Sequence, residues 1–511
     1  MSNRTKSSLL NLSVGVISQA ANLVVGFISR TLFIHFLSVE YLGITGLLTN
    51  VLTVLSFAEL GIGEAMVYAM YKPAKENDLP TMRKLMKLYK KMYTIIGIAV
   101  GAIGVFMSFF AEYFVESTPN IPEKLQFIFV FYSVNNMLSY FLTYKKSLLI
   151  VYQKNYVVTS ITQITTLCQH AVQIAIIAIT RQYYLYLMIQ MVFTVVNNLI
   201  ISIVVNRKYP WIKEKEDEKL PVDIKKGITK NIKSLSIAKI AGVVSNGADN
   251  IIISKLCGLA TVGLASNYTL ITSSVNGILW SGLTSITSSF GNFNVDSSIL
   301  RRRELFDDIY LCSYWLYSFF SICIVTLANS FIELWLGIDF VLSEIIVLAL
   351  VWIVYIGGVN FPVYVYSTTL GMYDKMKYPY LASGILNIVL SILFGLKWDV
   401  FGIYLATSIS RLFTSEVFGA YYVYKYGLQL SPLKYLLKYC ASFALFIANL
   451  TITKVLVSQI DVDGVMGFLL KIFVCVVVSN LIMLLVCFKT SAFKRVKTRI
   501  LTLFKRNSSA V

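Results

Sequence analysis

Long apolar runs dominate this sequence and leave few ways for it to fold. Fourteen stretches of roughly 20 or more mostly apolar residues follow one another, separated by short basic segments. A helix needs about 20 such residues to cross a bilayer. Lipid cannot hydrogen-bond an open backbone, so spans this apolar must be helices. The runs cover 9–34, 43–70, 92–111, 125–149, 156–180, 184–206, 233–256, 261–290, 308–330, 341–369, 378–396, 401–424, 435–457 and 464–488. The expected fold is an all-α polytopic membrane protein with about fourteen transmembrane helices. The first run follows Arg4 and Lys6 but is too long for a signal peptide's apolar core, so it reads as a span.

Composition agrees. Hydrophobic residues make up 57% of the 511 and charged residues 14%, against about half and a quarter in soluble proteins. The net charge of +19 does not imply a nucleic-acid partner, because Lys and Arg sit between apolar runs rather than in one patch. With both ends cytoplasmic, 36 of the 45 Lys and Arg fall in the inside segments or at the run ends that border them, and five on the outside, a strong positive-inside bias. The seven cysteines lie singly and read as free buried thiols. Two histidines without a cysteine cluster suggest no zinc site, and no cofactor is expected.

Shifting the chain by 220 residues aligns its halves. Residues 38–48 fall on 258–268 with Gly43 on Gly263, and 80–86 fall on 300–306 with Arg83 on Arg303. Two six-helix, pseudo-symmetric lobes are expected: 1–206, then a cytoplasmic linker 207–232, then 233–424. A helix pair at 425–488 and a basic cytoplasmic tail at 489–511 complete the reading. Parallel repeats of this kind place a substrate site between them near mid-membrane.

Polar residues in the runs mark the candidate site. The first run carries Gln19, Asn22, Gly26, Ser29 and Arg30 on one helical arc, and the seventh carries Lys239, Gly242, Asn246, Asp249 and Asn250, each 220 residues further on. Gln190, Thr194 and Asn197 form a shorter stripe, and Arg411 shares a face with Tyr404, Ser408 and Ser415. Charges at this depth are costly and normally face a bundle interior or an aqueous cleft. Glu59, Asp249 and Arg411 are nearest the centre, and Glu59 and Asp249 are candidates to couple an ion.

Enzyme signatures fail. The fragment GIGEA at 61–65 sits inside an apolar run with no preceding strand, so it is no phosphate loop. The DVD at 461–463 falls in a short outside loop. No Walker A motif occurs.

Other residues carry a resemblance. GFISR (26–30), LGITGLLTNVLTVLSFAELGIGEA (42–65), YKPAKENDL (71–79) and LMKLYKKMY (85–93) look like the polysaccharide repeat-unit flippases of the MOP superfamily, which also contains MATE drug exporters and lipid II flippases. ADNIIISKLCGLATVGLASNY (248–268) and STTLGMYDKMKYPY (367–380) look similar to the same family. The resemblance implies a polyprenyl-diphosphate-linked oligosaccharide as substrate. It would be moved from the cytoplasmic to the outer leaflet of a bacterial cytoplasmic membrane by alternating access. Polysaccharide polymerase and glycosyltransferases of one pathway would be partners. On this reading Arg30, Lys239 and Arg411 would meet the diphosphate, while Gln19, Asn22, Asn246, Asn250, Tyr404, Gln190 and Asn197 would meet sugar. The rivals are a MATE-type cation antiporter, whose site should be acidic and aromatic, and a membrane polymerase or ligase, which should carry large outside loops.

Overall fold

The computed structural model describes residues 3–508 apart from 56–58, 60, 118, 215–219, 222–224, 230–231, 233–235, 237–247, 295–297 and 371. All regular structure among them is helical. Among the described residues, eight helices are long and apolar enough to cross a membrane, or nine if one bent pair forms a single span. The chain divides into two compact units, Met1–Ser266 and Asn267–Val511.

The first unit contains α1 (Asn3–Phe36), α2 (Val39–Leu55), α3 (Ile62–Glu76), α4 (Leu79–Ser108), α5 (Leu125–Tyr140), α6 (Lys146–Val151), α7 (Asn155–Thr180), α8 (Tyr183–Lys208) and α9 (Asp249–Cys257). It also holds the first turns of α10 (Leu259–Asn294), since the unit boundary falls inside that helix. The second unit continues with α11 (Ile299–Leu336), α12 (Glu344–Val359), α13 (Phe361–Thr369), α14 (Tyr373–Arg411), α15 (Val417–Tyr422), α16 (Pro432–Ser458), α17 (Gly464–Cys487) and α18 (Ser491–Ser508).

Two apolar runs in the first unit contain a helix break. The run 43–70 is not one helix: α2 stops at Leu55, Glu59 lies in the break, and α3 starts after Gly61 at a left-handed φ of 74°. The run 125–149 breaks after Tyr140, where Leu142 takes φ 65°. A hydropathy window averages over such breaks because their side chains stay apolar. The freed carbonyls at the second break are covered: Asn198 Nδ2 donates to the oxygens of Leu138, Ser139 and Phe141 at 3.3, 3.3 and 3.0 Å. Irregular backbone survives at membrane depth only with such partners or beside a cavity.

The second unit has its own break. α12 and α13 are bent by 42° at Asn360, and Pro362 at the start of α13 supplies no N–H to the preceding turn. The long α14 folds back on itself. Trp398 and Asp399 leave helical φ/ψ, and Asn387 Nδ2 donates to Thr407 Oγ1 across the two arms at 2.7 Å. The breaks near 141 and 360, and the turns at Arg181 (φ 52°) and Asp399 (φ 51°), keep nearly the 220-residue spacing seen in the sequence.

The aligned glycines also meet. A Cβ on Gly43 would overlap the carbonyl of Leu259, and one on Gly263 would overlap the carbonyl of Val39. Val39 is the repeat counterpart of Leu259, so α2 and the start of α10 cross reciprocally, as a local two-fold axis produces. All four residues belong to the first unit.

Local capping explains where α4 begins. Asp78 accepts a hydrogen bond from the Thr81 N–H at 3.0 Å, and Pro80 pre-sets the first turn. The Thr81 hydroxyl, together with this backbone N–H, holds the Asp78 carboxyl below the usual carboxylate range. Replacing Asp78 with Ala should cost about 0.5–2 kcal/mol of stability. A folded-state pKa below the unfolded one gives stability that is present at neutral pH and fades as pH falls below about 4. Thermal unfolding of both proteins should therefore differ at pH near 7 and converge in acid.

The thiols correct one further expectation. All seven cysteines are free, but only Cys475 and Cys487 are buried, while Cys168 and Cys440 are exposed on helix faces.

Candidate functional site

Three helices of the first unit share one pattern along their length. On α5, Leu125, Ile128, Phe129 and Tyr132 belong to one apolar cluster, and Tyr140 to a second. On α8, Tyr183 and Leu187 join the first cluster, and Ile201 and Val205 the second. On α7, Ile177 joins the first, while Val157, Val158 and Ile161 pack on the second. Between the clusters the same helices turn polar. Asn136 and Ser139 of α5, Thr162, Thr165, Thr166 and Gln169 of α7, and Thr194, Asn197 and Asn198 of α8 line one cavity of about 400 Å³. This size suits a small-molecule site. Its place between two apolar cores puts it at mid-span depth.

Both helix breaks feed this cavity. Glu59 enters from the α2–α3 break, and Lys146 from the start of α6 beyond the α5 break. Tyr93 Oη donates to Glu59 Oε1 at 2.5 Å. Gly63 makes room for this pair, since a Cβ there would stand 2.8 Å from Tyr93 Oη. Thr165 Oγ1 donates to Asn197 Oδ1 at 3.1 Å, and Thr194 Oγ1 to Asn135 Oδ1 at 2.8 Å. Asn136 Nδ2 has no hydrogen-bond partner among the described residues. The lining thus offers hydroxyls, amides, one carboxylate and one ammonium. That set suits a polyhydroxylated ligand, which needs many hydrogen bonds and little net charge.

The sequence-derived residues divide among several places. Glu59 and Asn197 line the cavity. Gln190 sits one turn away on α8 and is half-buried; its carbonyl accepts from Thr194. Arg30, near the end of α1, donates to Ser266 Oγ and to the Gly263 carbonyl at 3.5 Å. Asn22 is exposed on α1, and Gln19 lies in the same helix with its side chain outside the described set. Asn250 of α9 lies beside α2, its Nδ2 3.6 Å from where a Gly46 Cβ would be. Asp249 begins α9. Lys239 and Asn246 lie outside the described residues.

Tyr404 and Arg411 belong to the second unit. Tyr404 is buried, and its carbonyl accepts from Ser408 Oγ at 3.1 Å. Arg411 Nη2 stands 3.4 Å from Glu416 Oε1, across a π-helical turn at Leu412–Glu416. Gly357 of α12 leaves space for the guanidinium, 2.9 Å from where its Cβ would be. Glu416 also borders a separate, mainly apolar cavity of about 220 Å³ with Asn360, Tyr421, Tyr435 and Tyr439. Tyr435 Oη donates to Asn360 Oδ1. Single π-turns inside helices often mark functional sites.

Sequence reasoning missed Lys146 and Glu416. Lys146 was counted among the basic residues that set topology. Its signal was its place at the end of an apolar run, directly after polar residues of the same run. Glu416 follows Arg411 at five residues, a spacing that faces it only where the helix widens to π geometry.

The fold has known counterparts. It is similar to the lipid II flippase MurJ in an inward closed conformation, with a TM-score of 0.62, 14% identity, and coverage of 92% of this chain and 98% of that one. It is also similar to an inward-facing multidrug resistance MATE family transporter of the MOP superfamily, at TM-score 0.57, 12% identity and 80% and 97% coverage. A mutant of the Vibrio cholerae MATE transporter VcmN matches at TM-score 0.56, 11% identity and 84% and 98% coverage. No sequence-family profile matches the chain, and no curated protein matches it in sequence. At these identities the likeness is one of fold: a polytopic, two-lobe helical membrane protein.

Proposed function

We propose that this protein is a MOP-superfamily flippase for lipid-linked oligosaccharides. It carries a polyprenyl-diphosphate-linked repeat unit from the cytoplasmic to the outer leaflet of a bacterial cytoplasmic membrane, for surface polysaccharide synthesis. The observation that carries the reading is the hydroxyl- and amide-lined cavity at mid-span depth in the first unit. An organic cation would not need that many donors and acceptors, whereas a sugar does. The likeness of the fold to a lipid II flippase supports the same direction.

In this reading Lys146, Asn136, Asn197 and the threonines of α7 bind sugar. Arg30, Lys239 and Arg411 meet the diphosphate, where charge-assisted hydrogen bonds are strongest. Gln19, Asn22, Gln190, Asn246, Asn250 and Tyr404 would add polar contacts along the path. Glu59, held by Tyr93, is the first candidate to couple an ion, and Asp249 the second. Both ends of the chain lie in the cytoplasm, as the charge asymmetry requires. Polymerase and glycosyltransferases of one pathway would supply and consume the unit.

A deletion strain complemented with wild-type, or with Arg30→Ala, Arg411→Ala, tests this. Lipid-linked sugars are extracted after treating cells with impermeant periodate. Repeat units protected on the inner leaflet without the protein, and oxidised with it, support the reading. Failure of the double variant, inserted at wild-type level, assigns the arginines to transport. A pool whose sidedness ignores the protein overturns the substrate class.

One observation favours a second reading. The mainly apolar cavity beside Tyr421, Tyr435 and Tyr439 carries one carboxylate, Glu416, a pairing of acid and aromatic rings that an organic-cation exporter would need. Arg411 already stands against Glu416, which weakens that site for a cation and ranks the reading second. Increased drug sensitivity of the deletion strain, with unchanged lipid-linked sugars, would promote it.

A further inference from the structure

The region after the last apolar run has no role in the transport reading, yet it is built with care. Residues 489–511 hold seven Lys and Arg and no Asp or Glu. Much of this region forms α18, which begins four residues beyond the candidate span α17. Its first turns therefore sit at a membrane boundary.

The charges on α18 are sorted. Arg495 pairs with Asp308 of α11 at 2.8 Å, and Arg499 with the same carboxylate at 3.2 Å. Asp308 is only 2% exposed. Arg495 also donates to the Glu304 carbonyl at 3.4 Å. The Phe493 ring stacks on Trp315 at 6.0 Å. Thus Arg495, Arg499 and Phe493 fix α18 to α11, whose first turns carry Arg301, Arg302 and Arg303. The lysines do something else. Lys489, Lys494 and Lys497 are all exposed. Beside Lys489, Phe488 is exposed too.

We propose that α18 is an interfacial helix that docks on anionic phospholipid. Arg495 and Arg499 are committed to Asp308, and the exposed lysines meet lipid phosphates. A basic helix fixed at a span's end with apolar neighbours has the composition of a membrane-surface segment. Each lysine near an anionic surface strengthens attachment about fivefold, and the attraction falls off within a Debye length. Lysine suits this role because a mobile point charge can serve any head group. The planar guanidinium suits the fixed carboxylate.

The test uses the full chain in nanodiscs of phosphatidylcholine, alone or mixed with phosphatidylglycerol. Amide hydrogen exchange is followed over residues 489–499. Anionic lipid should slow exchange in the wild type, and high salt should reverse the effect. Lys494→Gln with Lys497→Gln should lose about 25-fold of that lipid-dependent protection, at about fivefold for each lysine. Exchange in neutral discs should stay as in the wild type, because Asp308 still holds the helix. Equal protection of the wild type in both lipids would overturn the proposal and leave Asp308 as the sole anchor. So would soluble polyaspartate protecting α18 in neutral discs as well as anionic lipid does, which would assign the surface to an acidic protein.

Discussion

Replacing Lys146 with Met should leave the protein inserted and folded but stop it clearing lipid-linked sugar from the inner leaflet. The side chain is half-buried and enters the polar cavity beyond the α5 break. Methionine keeps much of its length and fits among apolar neighbours, so packing changes little. The loss falls on whatever the ammonium holds. A hydrogen bond to a charged group contributes about 1.5–3 kcal/mol, so affinity should fall roughly ten- to hundredfold. Lys146→Arg keeps the charge and should retain part of the activity. Wild-type clearance by the methionine variant, in the leaflet assay, would remove Lys146 from the site.

Gly43→Ala should be the most damaging single methyl addition in the first unit. The added carbon would overlap the Leu259 carbonyl, and backbone cannot rotate out of the way as a side chain can. Overpacking typically costs about 1–3 kcal/mol, occasionally more, and here α2 and α10 must also separate. Gly263→Ala meets the Val39 carbonyl and should cost a similar amount. The check is the yield of monodisperse protein and its unfolding temperature in detergent. Gly282→Ala is the control, since nothing lies within 4 Å of that position. A Gly43→Ala protein as stable as this control would mean the crossing is not tight.

How much of this was legible in the sequence follows from what each signal measures. Hydropathy measures side chains, so the all-helical membrane fold and most spans were readable. It does not measure backbone, so the breaks at Glu59 and Leu142 were hidden inside apolar runs. Polar stripes were readable by periodicity, and Glu59 and Asn197 do reach the cavity. Periodicity could not separate a residue facing a cavity from one facing a neighbouring helix. Asn250 lies beside α2, and Arg30 engages Ser266, for that reason. Thr162, Thr165 and Thr166 passed unnoticed because threonine within a span is ordinary, bonding back to its own helix as Thr165 does to Ile161. Only their convergence with Asn136 and Asn198 gives them a common role, and convergence is a property of tertiary structure. The glycine alignment carried over best, because close helix crossing leaves a residue type as its trace.

That crossing also bears on inheritance. If the two halves descend from one half-length chain that paired with itself, the founding glycine stood opposite its own twin. Any change there altered both sides of the crossing together. On that descent Gly43 and Gly263 would have become separate genetic positions, and either could have drifted alone. Both are still glycine. On that descent the older symmetry would have been relaxed elsewhere, with a polar cavity in one unit and a mainly apolar one in the other, while this tight crossing stayed shared.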